Sequence, residues 1–380
     1  DGNPLSLLHA NAGVGAGPTI LDSTPDDWLF TFRVNVYGVV NTLRSFVPAM
    51  VERGAPAAVV CTSSIAGIMG QSGGAYGASK HACTVLAEGV FTEVAPTAPH
   101  LSFHTLHPQI VDTKIDESQR NRPDDLSDLS ATDFLDLGGI GDKLFHERGM
   151  PPSGTAAHLF AGVDRGDFYI FSENPGDEGW TRKAVMARMS SLVSRDVPIG
   201  SPPMNMAAGL MPQEVLGAAP VSANRNDVEA LQGGIAVITG GASGIGLAVA
   251  HAALERGLHV AIGDIQQDAL EPAVAELRAA APDGLQVEGF RCDVTDTAST
   301  DAFAASVHGA YDGAPVSLLH CNAGIAVGQS TLNSTEADWE FTFNVNVFGV
   351  ANTLRSFVPG MVERGAPAAV VTTASIAGIS

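Results

Sequence analysis

Short apolar runs, each followed by a turn and often by a longer amphipathic stretch, recur along the whole chain. In the amino-terminal part, runs typical of buried strands cover Leu5 to His9, Ala57 to Thr62, Leu101 to Leu106 and Phe168 to Phe171. Further on, similar runs cover Ile235 to Ile238, His259 to Gly263 and Gln286 to Arg291. Helical periodicity fills several of the intervals, for example from Pro25 through Leu43, with Thr24 as the N-cap. Alternating strands and helices predict an α/β fold.

One stretch of this pattern occurs twice. Residues Gly2 to Ile68 reappear as Gly313 to Ile379, and about seven positions in ten are identical, which indicates an internal duplication. The neighbours of the two copies differ. The first copy is followed by Tyr76 and Lys80, whereas the second is preceded by a glycine-rich turn, Thr239 to Gly246. The first copy therefore lacks the glycine-rich turn, and the second copy lacks the segment with Tyr76 and Lys80.

Two stretches depart from the alternating pattern. Lys114 to Met150 mixes acidic, glycine and apolar residues, which predicts a mobile lid with one or two short helices. Ile199 to Gln232 is rich in Pro, Ala, Gly and Met, and we interpret it as a linker.

Composition narrows the class of protein. The chain has 380 residues, 45% of them hydrophobic and 16% charged, which is enough for two ordinary globular domains. Its formal charge of −21 argues against nucleic acid or an anionic membrane as a partner. The four cysteines have neither metal nor redox spacing, so we expect buried free thiols, no metal site and a cytoplasmic location. No leader or bilayer-spanning run is visible, and the first residue is not Met, so we expect a processed chain or a segment of a longer protein.

The glycine-rich turn predicts a dinucleotide site. A strand-like run breaks into small residues and then a helix, so the backbone can approach a pyrophosphate at the helix amino end. The candidate residues here are Gly240, Ser243, Gly244, Ile245 and Gly246. Asp264 ends the next strand and can accept from ribose hydroxyls while repelling a 2′-phosphate, which favours NAD over NADP. Asp293, beside Val294, could bond the adenine edge. Helix capping is the alternative role for both aspartates.

Tyr76 and Lys80 are candidates for proton transfer. They lie at i and i+4 on one helix face, where an ammonium beside a phenol lowers the phenol pKa. The spacing alone is more typical of a partly buried Tyr beside a surface Lys. Ser63 and Ser64 follow a predicted strand, at the end where sites form in α/β sheets. Asn35 lies inside a predicted helix between valines, which indicates a buried, hydrogen-bonded amide.

Taken together, these motifs resemble those of short-chain dehydrogenases/reductases. The shared motifs are T-G-x-x-x-G-I-G from Thr239 to Gly246, D-V at Asp293 and Val294, N-A-G at Asn11-Ala12-Gly13 and Asn322-Ala323-Gly324, N-V-x-G from Asn35 and from Asn346, S-x-A-G from Ser64 and from Ser375, and Y-x-x-x-K at Tyr76 and Lys80. The resemblance covers nearly the whole chain apart from the lid and the linker.

The resemblance implies hydride transfer between NAD(H) and a secondary alcohol or ketone. Tyr76 would exchange a proton with the substrate, Lys80 would lower its pKa and hold the nicotinamide ribose, and Ser64 would bond the substrate oxygen. Asn35 would keep its helix open for a water that relays protons to Lys80. Asn346 and Ser375 match the same motifs in the second copy. Pro108, Val111 and Thr113 match a P-G-x-V-x-T segment beside the nicotinamide, in which Gln109 replaces the glycine.

The resemblance also implies a doubly wound, parallel Rossmann-type sheet in the strand order 3-2-1-4-5-6-7. Residues 233–380 would supply 3-2-1-4-5 and residues 1–198 would supply 4-5-6-7, joined by the linker at 199–232. The chain would thus hold two incomplete, overlapping parts, one catalytic and one dinucleotide-binding. We hypothesise a site that joins the turn to Tyr76 and Lys80, across the two parts or between chains of a homo-oligomer by domain swapping. The alternatives are a segment of a longer tandem protein and a non-catalytic dinucleotide-binding or assembly module.

Overall fold

The computed structural model describes residues 5–15, 19–69, 74–126, 143–194, 231–327 and 330–375. Most of the predicted linker and the middle of the predicted lid lie outside these ranges. The chain forms two compact units. Unit 1 comprises Asp1–Ala223 and Gly328–Glu336, and unit 2 comprises Asn224–Val327 and Ala337–Ser380.

Unit 1 is built on a parallel sheet of four strands in the order β1-β2-β3-β4. The strands are β1 (Leu7–Ala10), β2 (Ala57–Thr62), β3 (Leu101–Pro108) and β4 (Tyr169–Ser172). Their register pairs Leu7 with Ala58, Ala57 with Leu101 and Thr105 with Tyr169. The order corresponds to 4-5-6-7, as expected for the amino-terminal part.

The principal helices of unit 1 are α1 (Pro25–Phe32), α2 (Gly38–Arg53), α3 (Gly74–Val94), α4 (Pro152–Arg165) and α5 (Trp180–Ser194). Helix α1 begins at a capping box, because the Asp27 N–H donates to Thr24 Oγ1 (3.3 Å) and the Thr24 N–H donates to Asp27 Oδ2 (2.8 Å). A wide π turn, Arg33–Tyr37, joins α1 to α2. Helix α2 ends at Gly54, whose φ of +68° suits glycine.

The core of unit 1 lies between the sheet and the helices α2 and α3. Its buried side chains include Leu43, Val47, Val59, Val90 and Phe103. A short segment of the second repeat also belongs to this unit. There, the Glu93 carboxylate accepts from the backbone N–H groups of Thr331 (2.5 Å) and Leu332 (3.3 Å), and Leu332 packs against the core.

Unit 2 is built on a parallel sheet of five strands in the order β7-β6-β5-β8-β9. The strands are β5 (Ile235–Thr239), β6 (His259–Asp264), β7 (Val287–Arg291), β8 (Val316–Cys321) and β9 (Ala369–Thr372). The principal helices are α6 (Gly244–Glu255), α7 (Gln267–Ala280), α8 (Thr297–Ala310), α9 (Glu336–Phe343) and α10 (Gly349–Arg364), with a second π turn, Asn344–Phe348, between the last two. The order corresponds to 3-2-1-4-5, as expected.

Strand β5 shows that this sheet is covered on both faces. Ala236 and Ile238 pack with residues of α6 and α7, whereas Ile235 and Val237 pack with residues of α8 and α10. All five residues of the strand are buried, as is typical of a central parallel strand. The predicted fold class, an α/β fold in two incomplete Rossmann-type parts, is confirmed.

All four cysteines are buried and free. Burial raises the pKa of each thiol, that of Cys61 most clearly. Among the described helices, none combines the length and the apolar character that a bilayer crossing requires.

Candidate active site

Lys80 is the most unusual side chain of unit 1, because its ammonium is buried. The residue is 3% exposed, and Nζ donates to the carbonyl oxygen of Thr62 at 3.2 Å. Nζ also lies 5.7 Å from the centroid of the Tyr76 ring. A β-carbon on Gly13 would lie 3.1 Å from Nζ, so the N-A-G turn passes close to the ammonium. A buried lysine whose ammonium bonds a backbone carbonyl is typical of a functional site rather than of a core.

Asn35 lies in the π turn and is fully buried. Its Oδ1 accepts from the Val14 N–H at 2.8 Å, and its Nδ2 donates to the Val14 carbonyl and to Ser79 Oγ, both at 2.9 Å. The wide turn removes the regular helical bonds at this point, and the amide ties α3 to the loop after β1. The predicted buried, bonded amide is confirmed.

Ser64 follows β2, as predicted, and is buried. Its Oγ accepts from the Ala66 N–H at 3.1 Å and caps the short 3₁₀ turn Ile65–Gly67. A β-carbon on Gly67 would lie 2.6 Å from the Lys80 carbonyl oxygen, so only glycine permits this turn to meet α3. Ser63 Oγ donates to the same carbonyl at 2.8 Å. The two serines therefore differ in role: Ser63 fixes α3, and Ser64 shapes the turn.

The sequence pattern missed His107. This residue is fully buried at the end of β3, with Nδ1 3.0 Å from the Ser64 carbonyl oxygen and Nε2 2.9 Å from Thr105 Oγ1. Burial lowers the pKa of His107 to about 4. A neutral ring with its proton on Nδ1 satisfies both contacts, so His107 holds the backbone of Ser64 in place. No motif marks it in the sequence, where it is one of several polar residues in the predicted strand.

The N-A-G turn of each unit is fixed by the same set of bonds. In unit 1, Thr62 Oγ1 donates to Asn11 Oδ1 (2.9 Å) and lies 2.7 Å from His9 Nε2. In unit 2, Thr373 Oγ1 donates to Asn322 Oδ1 (3.0 Å) and lies 2.8 Å from His320 Nε2. The duplicated sequence thus reproduces the local geometry. Ala12 and Gly13 are exposed in unit 1, as is Gly324 in unit 2.

The segment after β3 accommodates Gln109 in place of a glycine. The Gln109 N–H donates to the Ser172 carbonyl at 3.0 Å, its Oε1 accepts from the Asn174 N–H at 2.6 Å, and its φ is not positive. Beyond Pro108, Val111 forms a parallel bridge with Met150, and Thr113 is exposed. The backbone of this segment therefore does not require glycine.

The described ends of the predicted lid fold onto unit 1. Ser118 Oγ accepts from the Gly15 N–H at 2.9 Å. The Arg122 guanidinium lies 3.1 Å from Asp27 Oδ1, with both side chains buried, and 5.5 Å from the centre of the Phe30 ring. Sequence reasoning missed this buried ion pair because nothing local connects residues so far apart in the chain.

In unit 2, the glycine-rich turn forms a tight cradle between β5 and α6. Gly240 has a φ of +63°, and a β-carbon on Gly246 would lie 2.2 Å from the Gly240 carbonyl oxygen. Asn322 Nδ2 donates to that carbonyl at 3.1 Å, and Thr239 Oγ1 accepts from the N–H groups of Asn322 (3.1 Å) and Ala323 (3.3 Å). Ser243, Gly244 and Ile245 at the helix start are exposed, which leaves the amino end of α6 open.

Asp264 and Asp293 lie at the ends of β6 and β7. Asp264 accepts from the N–H groups of Ala242 (3.2 Å) and Gln266 (3.0 Å), which ties the cradle to β6. Asp293 Oδ1 accepts from the N–H and hydroxyl of Thr295, at 2.9 and 2.7 Å. Both carboxylates thus have local partners and retain further lone pairs. A dinucleotide fits these residues: the glycines allow close approach, the helix offers free N–H groups, and Asp264 can accept from ribose hydroxyls.

The second copy of the repeat places its motif residues on the surface of unit 2. Asn346 Oδ1 accepts from the Ile325 N–H and Asn346 Nδ2 donates to the Ile325 carbonyl, both at 2.8 Å, in the same way as Asn35 bonds Val14. Unlike Asn35, Asn346 is exposed. Ser375 is exposed as well. Tyr76 and Lys80 belong to unit 1, together with Asn35, Ser64 and the first N-A-G turn. Unit 2 contains the cradle, the second N-A-G turn, Asp264, Asp293, Val294, Asn346 and Ser375.

Comparison with known proteins shows two segments that match one family. The family model for short chain dehydrogenases matches residues 2–124 and 234–380. The chain belongs to the short-chain dehydrogenase family. Its match in two segments agrees with a partial tandem duplication.

Two curated relatives of this family are dehydrogenases. The chain is 33% identical over 153 residues to 2,3-dihydro-2,3-dihydroxybenzoate dehydrogenase of Bacillus subtilis (strain 168), covering 40% of this chain and 57% of the relative. It is 36% identical over 148 residues to galactitol 2-dehydrogenase (L-tagatose-forming) of Cereibacter sphaeroides, covering 39% of this chain and 55% of the relative. The chain spans about half the length of these short-chain dehydrogenases.

Among solved structures, a short chain dehydrogenase/reductase from Burkholderia phymatum in complex with NAD is 28% identical. The match has a TM-score of 0.47 and covers 52% of this chain and 69% of that chain.

Proposed function

We propose that the chain is an NAD(H)-dependent oxidoreductase that interconverts a secondary alcohol and a ketone. The observation that carries the proposal is the buried Lys80, held by the Thr62 carbonyl beside Tyr76 and the N-A-G turn. Burial of the Lys80 ammonium costs free energy because the charge loses its hydration. A lysine buried in this way is typical of a catalytic or binding site. Membership of the short-chain dehydrogenase family and the dehydrogenase relatives support the same reaction class.

Each site residue has a defined part in this reaction. Tyr76 takes the hydroxyl proton of the alcohol, or returns it to the ketone oxygen, and Ser64 bonds that oxygen. Lys80 places a positive charge beside the Tyr76 ring and bonds the nicotinamide ribose. Asn35 keeps the π turn open, so that a water can pass protons to Lys80. When bound, NAD supplies the hydride acceptor, and NADH the hydride donor.

We further propose that the cofactor is NAD rather than NADP. Asp264 ends β6 beside the cradle, where a carboxylate accepts from ribose hydroxyls and repels a 2′-phosphate. The pyrophosphate would be held by the cradle residues Gly240, Ser243, Gly244, Ile245 and Gly246. The adenine would contact Asp293 and Val294. The nicotinamide side would be held by the two N-A-G turns together with Pro108, Val111 and Thr113. Titration with NADH and NADPH, followed by nicotinamide fluorescence, tests this assignment. We expect tighter binding of NADH and a reversal of that preference in Asp264→Ala.

Turnover of a panel of secondary alcohols with NAD tests the reaction. Tyr76→Phe removes only the phenol hydroxyl, so we expect turnover to fall at least about a hundredfold, within the range of general acid–base catalysis. Tyr169→Phe is the matched control, because the Tyr169 hydroxyl donates to Glu88 on the surface of unit 1. Turnover that survives Tyr76→Phe would remove Tyr76 from the mechanism.

A second candidate is a non-catalytic module that binds a dinucleotide or serves in assembly. The observation that favours it is that the cradle belongs to unit 2, whereas Tyr76 and Lys80 belong to unit 1. NADH binding without turnover of any alcohol or ketone would select this function.

A further inference from the structure

A chain of hydrogen bonds leads from a buried histidine of unit 2 to the glycine-rich cradle. It begins at His320 on β8, whose Nε2 lies 2.8 Å from Thr373 Oγ1. Thr373 Oγ1 donates to Asn322 Oδ1 at 3.0 Å, and Asn322 Nδ2 donates to the Gly240 carbonyl at 3.1 Å. Residues that lie far apart in the sequence thus form one connected path.

The bonds of this chain have a fixed direction. A hydroxyl has a single proton, and the Thr373 hydroxyl donates it to Asn322 Oδ1, which can only accept. Thr373 Oγ1 must therefore accept from His320, so the ring carries its proton on Nε2. Asn322 cannot be reversed, because its Oδ1 would then face the Gly240 carbonyl oxygen, which is another acceptor. The chain thereby fixes the orientation of the Asn322 amide.

The surroundings of His320 fit this arrangement of protons. The residue is 4% exposed, and burial lowers its pKa, so the ring is neutral at physiological pH. Nδ1 is buried and has no hydrogen-bond partner within the described part of the chain. Moving the proton to Nδ1 would leave a buried N–H unpaired and would take the Thr373 proton away from Asn322. The bond from Nε2 is therefore the one that compensates for the burial of the ring.

At its other end, the chain holds one peptide plane of the cradle. The Gly240 carbonyl accepts from Asn322, and the Gly241 N–H, on the other side of the same peptide, donates to the Gly263 carbonyl at 3.2 Å. Gly240 has a φ of +63°, and a glycine left without such bonds could adopt many other conformations. Because both polar groups of the peptide are bound, its plane is fixed. The path of the backbone toward the open N–H groups at the start of α6 depends on that plane.

The duplication offers a comparison. In unit 1, His9, Thr62 and Asn11 form the corresponding bonds, but the glycine-rich turn belongs to unit 2. In the described part of unit 1 the chain therefore ends at the N-A-G turn. In unit 2 the same bonds continue to the cradle, which gives them a part in ligand binding.

We propose that His320 and Thr373 are positioning residues of the cradle, which act through Asn322 on the Gly240–Gly241 peptide and so on the backbone that receives the pyrophosphate. The inference rests on the proposed function, because it takes the ligand of the cradle to be a dinucleotide. Neither residue belongs to a motif of the family resemblance, and their role follows from the bonds alone.

Removing the Thr373 hydroxyl tests the middle of the chain. Thr373→Val keeps the shape of the side chain but can neither accept from His320 nor donate to Asn322. Because Thr373 is exposed, water replaces part of the lost bonds, and we expect NADH affinity, measured by nicotinamide fluorescence, to fall about three- to tenfold. Thr373→Ser retains the hydroxyl and should bind NADH within about twofold of wild type.

Thr353→Val is the matched control for this substitution. The Thr353 hydroxyl is buried in unit 2 and donates to the Gly349 carbonyl of its own helix, α10. Its removal should leave NADH affinity unchanged. An equal loss of affinity in Thr353→Val and Thr373→Val would point to general destabilisation and overturn the proposal.

His320 is tested by rescue. His320→Gln places an amide N–H where Nε2 lies and should keep NADH affinity within about twofold of wild type. His320→Asn is equally polar, but its amide reaches only to the position of Nδ1, so it should lose as much affinity as Thr373→Val. His320→Leu combined with Thr373→Val should lose no more than either change alone, because both break the same chain. Additive losses, or full affinity in His320→Asn and His320→Leu, would overturn the proposal.

A measurement without NADH separates this proposal from the proposed function. In the isotope-labelled full chain, the amide resonances of Gly240 and Gly241 should shift in Thr373→Val and stay in place in Thr353→Val. Circular dichroism shows whether each variant folds, and Thr373→Val, on the surface, maintains the test if a His320 variant does not. If wild type and all variants bind NADH equally, the positioning role falls and the cofactor assignment stands. If wild type does not bind NADH, the cofactor assignment falls, and unshifted glycine resonances would then overturn the positioning role as well.

Discussion

A single asparagine, present in both copies of the repeat, shows what a local pattern can and cannot predict. Asn35 lies between valines, and that pattern correctly predicts a buried, bonded amide. Asn346 lies between the same residue types, yet it is exposed. The bonds to Val14 and Ile325 are local and recur in both copies. The burial comes from α3, which no residue near the asparagine encodes.

This difference predicts unequal costs of the same substitution. Asn35→Ala leaves the buried Val14 N–H and carbonyl without partners and should lower the free energy of unfolding of unit 1 by about 3 kcal/mol. Asn346→Ala exposes the corresponding groups to water and should cost less than about 1 kcal/mol in unit 2. Denaturant unfolding of the two variants, followed by hydrogen exchange in each unit, measures both. Equal losses would mean that the amide bond, rather than its burial, sets the cost.

His107 is a residue that the sequence did not single out, and it makes stability depend on pH. The folded state keeps its ring neutral down to a pKa of about 4, against an ordinary value of 6.5. Between these values the unfolded chain binds the extra proton, so lowering the pH favours unfolding. We expect unit 1 to lose about 3 kcal/mol from this residue between pH 6.5 and 4.

The control for this prediction is His107→Gln, which keeps an amide donor and acceptor but cannot titrate. Burial also lowers the pKa of His9 and His81, so some pH dependence should persist in the variant. Denaturation midpoints over this pH range, compared between wild type and variant, isolate the contribution of His107. Identical slopes would show that His107 does not titrate on unfolding.

At the scale of elements, apolar runs placed the predicted strands to within about two residues, whereas the helix predicted from Pro25 through Leu43 continues to Arg53. The first predicted helix proved to be two helices joined by the π turn Arg33–Tyr37, which hydrophobic spacing does not reveal because the apolar face continues through it. The pairing of Arg122 with Asp27 was also missed. It depends on the path of the chain after β3, and tertiary contacts of that kind leave no local signal.

The turn between β5 and α6 was predicted from the order of strand, glycines and helix, and the structure explains its composition. A methyl group at Gly246 would lie 2.2 Å from the Gly240 carbonyl and 2.7 Å from Asn322 Nδ2. Gly246→Ala must therefore displace backbone of the cradle, and we expect NADH affinity to fall at least about tenfold. Fluorescence titration measures the loss.

Gly257→Ala is the control for this substitution. Gly257 has a positive φ, +79°, and a β-carbon there meets only the Gln232 side chain, at 3.6 Å or more. It should lower stability by about 1 kcal/mol through backbone strain and leave NADH affinity unchanged. An equal loss of affinity in both variants would point to general destabilisation rather than to the cradle.

At the scale of the molecule, the strand orders of both sheets were predictable, although not from hydrophobic pattern alone. Hydrophobic periodicity predicts where strands lie in the sequence but not which strands are adjacent in a sheet. The family resemblance supplied the strand orders 4-5-6-7 and 3-2-1-4-5. The duplication then explains why strands 4 and 5 occur in both units. The resemblance could not reveal which surfaces of the repeat stay exposed, because the family motifs that lie within the repeat, N-A-G, N-V-x-G and S-x-A-G, are present in both copies.

The division of the site between two units leads to a prediction about where NADH acts. At a hundred times its dissociation constant, a ligand adds about 2.7 kcal/mol to the structure that holds it, which slows amide exchange there about a hundredfold. Hydrogen exchange with mass spectrometry should therefore show protection of β5 and β6 in unit 2, and at least about tenfold less protection in Gly246→Ala at the same NADH concentration. Strands β1 to β4 of unit 1 should exchange as they do without NADH. Protection of unit 1 alone would place the cofactor on the wrong unit and contradict the assignment of the cradle.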